Sequence, residues 1–591
     1  MVESLKGQGI YTALSFYFPL WISAGRACGI AGYEGFANRH PFALLFFSPQ
    51  MQKIHRGWIL GILKPRNPYS GIPLARDPAL AMVEIVNEDS FLFWTFSSTN
   101  IPPVQMRILE GRFAKWLGRK YGSVMSAAAA WGEGAFAEGD SPDEGGIKLA
   151  DAFHMTSRGH GEGGKRKRIS DQLRFLVETQ REFYDMTAAF LRKEAGLRSM
   201  VVCGNWTTAD PSLLDSLERY TYMAGDVLDE HGYFGGRHEG PAAGYSVNVG
   251  DTYEDLSGLG APGEIPGRFD QVSGFPHVIS EIGWTNPNRF KGEFPFICSV
   301  YGSLQGADGF FFFALGGPYW ETGARKFALA VPSILGQFPA AALAYRRGDV
   351  MEGPVVLNRT LSMDDLFDFQ GEGSSLRDNL DELRRAGIPE AAGRGSAASS
   401  DPESLAYFCG KVSRSIGTEG GPARKAGLGG HIDSIRKIVT SATGEISWDW
   451  GRKVITVNSP RTQGACGFLG SAGEIRLKDV AIKSGDEYVS VLVVSLDGRS
   501  LSGSGRILVQ VFTEEEPFGW HSVRGKILSL GDYPLTVRRS AVALKFISLP
   551  SGAMLTALDE NGYPRSIHAA TPVRAGSFIE LPSDALYFVI R

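Results

Sequence analysis

The chain has 591 residues, enough at about 150 per domain for two to four domains. Apolar types make up 43% and charged types 21%, which excludes wholesale disorder; 60 basic against 64 acidic side chains exclude the basic excess of a dedicated nucleic-acid binder. Five cysteines (Cys28, Cys203, Cys298, Cys409 and Cys466) are too few for a disulfide scaffold, and no apolar run approaches the roughly 18 residues of a membrane span.

The start, MVESLKGQGIYTALSF, lacks the basic residues, apolar stretch and cleavage site of a signal peptide, so the sequence leaves localisation open. Up to about residue 345, short apolar runs alternate with amphipathic stretches, the pattern of β/α units. The runs are 9–18, 81–88, 198–206, 225–234, 277–284 and 306–315, several of them almost continuously hydrophobic, as parallel strands buried on both faces should be. Helices are predicted over 104–121 and from Asp171 to Ala195, the second capped by Ser170 and closed by Gly196. The Gly-rich, charged stretch 133–170, with Lys165-Arg166-Lys167-Arg168, reads as a solvated loop, and 235–275 as a second loop. Long excursions after strands are where α/β barrels build their sites.

Between about 370 and 430 the composition shifts to Gly, Ala, Ser and charge, the texture of a linker or decorated edge. After 440 come short β-rich runs separated by turn pairs such as Asp497-Gly498 and Asn561-Gly562. The expected architecture is α/β: a (β/α)8 TIM-type barrel over 1–345, a connecting region over 346–435, and an antiparallel β-sandwich over 436–591.

Familiar motifs fail. Two G-x-G-x-x-G matches, 159–164 and 258–263, do not link a strand to a helix, so neither presents a helix N-terminus to a pyrophosphate. No His-x-His, His-Glu-x-x-His, Gly-x-Ser-x-Gly or P-loop occurs. No metal site and no organic cofactor is expected.

Two carboxylates stand at the ends of hydrophobic strands: Glu88 after Met82-Val83-Glu84-Ile85-Val86-Asn87, and Glu281 within Val278-Ile279-Ser280-Glu281-Ile282-Gly283-Trp284. An acid near the mouth of a buried strand needs a polar site or a partner. Each alone fits a local salt bridge; the two together fit cleavage of a glycosidic bond with retention, one acid protonating the leaving oxygen and the other attacking the anomeric carbon. Tyr233 can donate to an ionised carboxylate. His231 reads either as a sugar-hydroxyl partner or as a satisfied core histidine. Asn205 closes a strand within reach of a hydroxyl, and Trp206, Trp284 and Trp320 can stack on a pyranose or simply pack the rim.

Asn87-Glu88 at a strand end, preceded by Asn67-Pro68-Tyr69-Ser70-Gly71 and Asp77-Pro78-Ala79-Leu80, resembles the fourth strand of clan A retaining glycoside hydrolases, in particular the family 5 (cellulase-like) group. Ser280-Glu281-Ile282-Gly283-Trp284 is similar to the seventh-strand nucleophile motif, and His231-Gly232-Tyr233 to the sixth-strand His-x-Tyr pattern. The likeness covers roughly residues 5–345. It implies a retaining β-glycosidase acting on β-linked glycans, with Glu88 as acid/base, Asn87 on the sugar 2-hydroxyl, Glu281 as nucleophile and Tyr233 donating to it. It also implies that two β/α units before residue 9, and an Arg near the nucleophile, are missing. A non-catalytic carbohydrate-binding barrel remnant is the alternative. The partner in either case is a carbohydrate, with no nucleic acid or membrane, and a homo-oligomer is left open.

Overall fold

The computed structural model describes residues 1–370 and 404–591 apart from 37, 145, 418–420 and 426, and only the backbone of 421–425. Much of the Gly/Ala/Ser-rich connecting stretch therefore lies outside the described residues.

All six predicted apolar runs contain strands. In chain order they are β1 (Thr12–Ser15), β2 (Leu80–Glu84), β3 (Met200–Val202), β4 (Leu228–Gly235), β8 (His277–Thr285) and β9 (Gly309–Phe312). Short strands β5 (Arg237–Glu239), β6 (Thr252–Glu254) and β7 (Gln271–Val272) interrupt the long loop after β4. The helices of this half are α1 (Val2–Gly7), α2 (Pro49–Leu63), α3 (Pro103–Tyr121), α4 (Val124–Trp131), α5 (Gly163–Lys193), α6 (Pro211–Tyr222), α7 (Glu293–Gln305) and α8 (Phe338–Arg346).

The six principal strands run parallel in chain order. β1, β2 and β3 form one sheet and β4, β8 and β9 another, and a parallel bridge between Val202 and Val227 joins them. Their residues are buried on both faces where strands flank them, as in β4 and β8. The two ends differ. Among the described residues β1 pairs only with β2 and β9 only with β8, so the expected closure into eight strands is not made. Ala13, Ser15 and Phe311 are exposed on those two edges. Ala13 and Leu14 nevertheless line the same cavity as Phe311 and Phe313, so the array wraps around a common interior.

The charged tetrad is not a loop. It lies on the first turns of α5, which begins eight residues before the predicted Asp171 because Gly164 lets the helix approach the chain at Glu133. Arg168 is buried there. Its guanidinium grips both oxygens of Asp140 at 2.6 and 3.0 Å and donates to the Ala135 and Lys148 carbonyls, organising the Gly-rich segment from within.

From Ile432 onward the chain forms a ten-stranded antiparallel sheet, which ends in short edge strands, and a four-stranded sheet. Val491, Val509 and Phe588 of the first meet Ile482, Leu544 and Phe546 of the second in a shared apolar core. The strand Ile446–Asp449 carries Trp448, fully buried against Tyr301 of α7 and Phe408, with Nε1 donating to the Leu259 carbonyl at 2.9 Å. A single core thus runs from α7 and β8 into the large sheet. A buried ion pair, Lys291 to Glu515 at 2.9 Å, adds a polar tie, and Glu515 also accepts from the Ser333 amide and hydroxyl. The hairpin that begins at Glu515 reaches back to pair with β6 (Lys526 opposite Thr252), fixing the loop that carries Tyr245 to the cavity. Within the connecting region the strands Val355–Leu361 and Lys411–Ile416 pair in parallel, and the second also pairs with β7. Among the described residues no helix is long and apolar enough to cross a membrane.

Two predictions follow from this packing. Trp448→Ala lowers the unfolding free energy by about 3–5 kcal/mol, the usual cost of emptying an aromatic site, read by urea unfolding. Glu293 opens α7 inside the core; burial pushes its carboxyl up to about 8 against the hydrogen bonds from Ser257 and Gly258. The folded state therefore holds a proton that the unfolded chain releases near 4.5, so stability falls as pH rises between those values. Glu293→Gln flattens that decline in thermal midpoint between pH 5 and 8; an unchanged decline contradicts it.

Candidate active site

β2 alternates its side chains, so Met82 and Glu84 face the interior while Val83 points to the helical layer. After Glu84 the chain continues extended, the Ile85 and Val86 amides donating to the Val202 and Cys203 carbonyls. It then turns sharply at Glu88, whose φ of 50° lies in the left-handed region. That turn swings the Glu88 carboxyl into the cavity.

On the opposite side, β4 and β8 are in parallel register with His231 opposite Glu281. Glycine at 232 is required by the close approach of Pro266, whose Cβ would stand 2.6 Å from an added Cβ. His231 Nδ1 lies 2.8 Å from Glu88 Oε1 and 3.5 Å from Glu281 Oε2, and its Nε2 lies 3.0 Å from Ser280 Oγ. The Tyr233 hydroxyl donates to Glu281 Oε2 at 2.5 Å. One oxygen of Glu88, one of Glu281 and a ring nitrogen of His231 all lie within 4.8 Å of one another. The two strand-end acids, 193 positions apart, are thus neighbours across a small gap.

This pair opens into a cavity of about 820 Å³. Its walls include Asn87, Tyr233, Phe18, Trp21, Trp58, Trp94, Tyr245 and Phe327. Four carboxylates line it, Glu84, Glu88, Asp229 and Glu281, and no Lys or Arg does among the described residues. His55 also lines it; burial lowers its imidazole to about 4, so it is neutral near pH 7.

Glu84 and Asp229 sit beneath the pair, and Asp229 comes close to His231. Burial raises the Glu84 carboxyl well above the usual carboxylate range, with the negative Asp229 adding to the effect. Burial raises Asp229 to about 6, opposed first by His231 and then by hydrogen bonds from Ser280. Two residue sets have the composition of a cation site, Glu84-Asp229-His231 and Glu88-His231-Glu281.

The other sequence-predicted residues fall elsewhere. Asn205 is 1% exposed, and its side-chain amide is taken up by Glu84, Asn87 and the Glu88 backbone, so it stands behind the site and not in it. Trp206 is buried against Phe93 and Trp94, and Trp284 is stacked on Phe294 beside Phe234; both pack the core because their strands are covered on that face. Trp320 is exposed and does not line the cavity. The tryptophans that do line it, Trp21, Trp58 and Trp94, were not singled out by sequence: Trp58 rides on α2, Trp21 ends the short 3-10 turn Pro19–Trp21 and Trp94 lies in a turn. Glu84, which shares the interior face of β2 with Met82, was not singled out by sequence either.

Neither a family model nor a curated protein matches the sequence. Among solved structures the chain is similar to a β-galactosidase from the psychrophilic Marinomonas ef1 (12% identity, TM-score 0.39, covering 100% of this chain and 91% of that one). It is similar also to an agarase, AgWH50C (12%, TM-score 0.34, 59% and 46%). A third is the endo-β-1,4-mannanase of Thermotoga petrophila (10%, TM-score 0.29, 61% of this chain and 64% of the mannanase).

The Ser280 amide donates to Asp229 Oδ1 at 2.8 Å, so it reports that carboxyl. In protein labelled with 15N-serine, its resonance should titrate with a midpoint near 6 and lose that titration in Asp229→Asn. A flat response in the parent protein contradicts the assignment.

Proposed function

We propose that the chain is a retaining β-glycosidase of the incomplete-barrel type, with Glu88 as acid/base and Glu281 as nucleophile. The observation that carries this reading is the approach of one Glu88 oxygen to one Glu281 oxygen within 4.8 Å at an aromatic-lined cavity. Double displacement on a glycoside uses two carboxyl groups about 5–5.5 Å apart, whereas inversion needs about 6.5–9.5 Å to admit a water between them. The short gap supports retention.

The surroundings divide the roles. Glu281 accepts the Tyr233 hydroxyl on Oε2, a bond that holds the attacking carboxylate in place. Glu88 faces His231 Nδ1. His231 Nδ1 accepts from protonated Glu88 in the Nε2–H tautomer and donates to ionised Glu88 in the Nδ1–H tautomer, and the Ser280 hydroxyl complements Nε2 in either. The contact is thus kept in both protonation states, as a group that first gives and then takes a proton needs.

In the first step Glu281 attacks the anomeric carbon, the glycosidic bond breaks, and the Glu88 proton goes to the leaving oxygen. In the second, water attacks the glycosyl ester, gives its proton to Glu88, and Glu281 leaves as carboxylate. No cofactor enters either step. Asn87 lines the cavity next to Glu88, placed for a sugar hydroxyl, and Trp21, Trp58 and Trp94 offer flat faces for the apolar side of a pyranose.

The free edges of β1 and β9 favour a second reading, a barrel remnant that binds glycans without cleaving them. One experiment separates them. The parent protein, screened on aryl β-glucoside, galactoside, mannoside and xyloside, releases the aryl group. Glu281→Ala abolishes release, and azide restores turnover as the inverted glycosyl azide. Glu88→Ala slows cleavage of unactivated leaving groups by roughly 10²–10⁴-fold, the worth of a positioned general acid. Oligosaccharide binding without products in the parent supports the remnant, and undiminished turnover in Glu281→Ala ends the glycosidase reading.

A further inference from the structure

The turn that delivers Glu88 is held by the bond from the Asn87 amide to the Tyr17 carbonyl at 2.7 Å and, from behind, by the side chain of Asn205. Asn205, three residues after β3, donates from Nδ2 to Asn87 Oδ1 at 2.8 Å and to Glu84 Oε1. Its Oδ1 accepts the Glu88 amide at 3.1 Å, and its backbone carbonyl accepts the His231 amide at 3.1 Å. A carboxamide has two N–H donors and one carbonyl, and all three are committed here.

The arrangement works in one orientation only. Rotated by 180°, the Asn205 amide would set its oxygen against the acceptor oxygens of Asn87 and Glu84, and its NH2 against the Glu88 N–H. The Glu88 N–H, a donor that cannot reverse, fixes that orientation, and Glu84 Oε1 with Asn87 Oδ1 holds it from the other side as acceptor. Glu88 itself needs holding. A non-glycine residue at φ 50° is strained and persists only where its surroundings over-determine it. The link from β2 to the Glu88 backbone therefore runs from Glu84 through Asn205.

We propose that Glu84 is a positioning residue: acting through Asn205, it fixes the left-handed backbone at Glu88 and so the aim of the Glu88 carboxyl toward Glu281. The inference deepens the glycosidase reading and rests on it for its consequence in turnover, but its physical content is independent of catalysis. Its placement on β2, two residues beyond Met82 on the same interior face, gives it a rigid mount.

The test uses the full chain with Glu84→Ala and Glu84→Gln. Glutamine keeps an oxygen to accept from Asn205; alanine removes it. Amide hydrogen exchange resolved at Glu88 should accelerate several-fold, up to about tenfold, in Glu84→Ala, as losing one hydrogen bond between neutral groups implies, and stay within about twofold of the parent in Glu84→Gln. On an aryl β-glycoside with a poor leaving group, kcat should fall by a similar factor in Glu84→Ala with KM within about threefold, and recover in Glu84→Gln. Should Glu84→Ala fail to fold, Glu84→Met removes the acceptor while keeping the volume. Unchanged exchange at Glu88 in the variant lacking the acceptor, or a glutamine variant as impaired as the alanine one, overturns the proposal. A parent protein that hydrolyses no glycoside ends the glycosidase reading alone, and the exchange result still decides the role of Glu84.

Discussion

The site depends on one contact, the imidazole of His231 set between two carboxylates. Bringing Glu88 and Glu281 within 4.8 Å places like charges together in a partly enclosed space, which is unfavourable unless a donor or a proton intervenes. His231 provides the link on one side at 2.8 Å and Tyr233 satisfies the other carboxylate at 2.5 Å. Both come from β4, and the register of β4 on β8 puts His231 level with Glu281. Backbone pairing of two buried strands thus sets the separation of the acids, and the left-handed turn at Glu88 completes it from the third wall.

The same wall explains the acid-rich character of the interior. Glu84, Asp229, Glu88 and Glu281 share one cavity whose described lining holds no Lys or Arg. Enclosure raises Glu84 and Asp229 above the usual carboxylate range, so this lower pair carries less negative charge near neutrality than two free acids would. The large antiparallel sheet contributes at a distance. Trp448 locks it to α7, the Lys291–Glu515 pair ties the turn before α7 to the hairpin that begins at Glu515, and that hairpin holds the loop that brings Tyr245 to the cavity.

Much of this was legible in the sequence, for physical reasons. Nearly continuous apolar runs announced six parallel strands, since strands covered on both faces cannot alternate. Two acids at the ends of such runs signalled a polar interior, and His231 and Tyr233 lie two residues apart on one strand face, where period-two geometry sends both toward Glu281. What escaped was tertiary in origin. Arg168 looked like part of a solvated run, yet Asp140 and two carbonyls bury it. Trp206 and Trp284 follow strand ends as a sugar platform would, but the covering elements turn them into core, while Trp21, Trp58 and Trp94 reach the cavity through α2 and loops whose paths no periodicity encodes. Asn205 seemed a hydroxyl partner because composition does not reveal that Glu84, Asn87 and the Glu88 amide use every polar atom it has.

The central claim is that Glu281 forms a covalent bond to the sugar while Glu88 supplies the proton. A 2-deoxy-2-fluoro-β-glycosyl fluoride tests it directly, because the fluorine slows hydrolysis of the glycosyl ester and lets it accumulate. Digestion and mass spectrometry of the labelled protein should place one fluoroglycosyl group on the peptide containing Glu281, at its side chain. A label on any other residue, or turnover of an activated glycoside with no covalent adduct, contradicts the account.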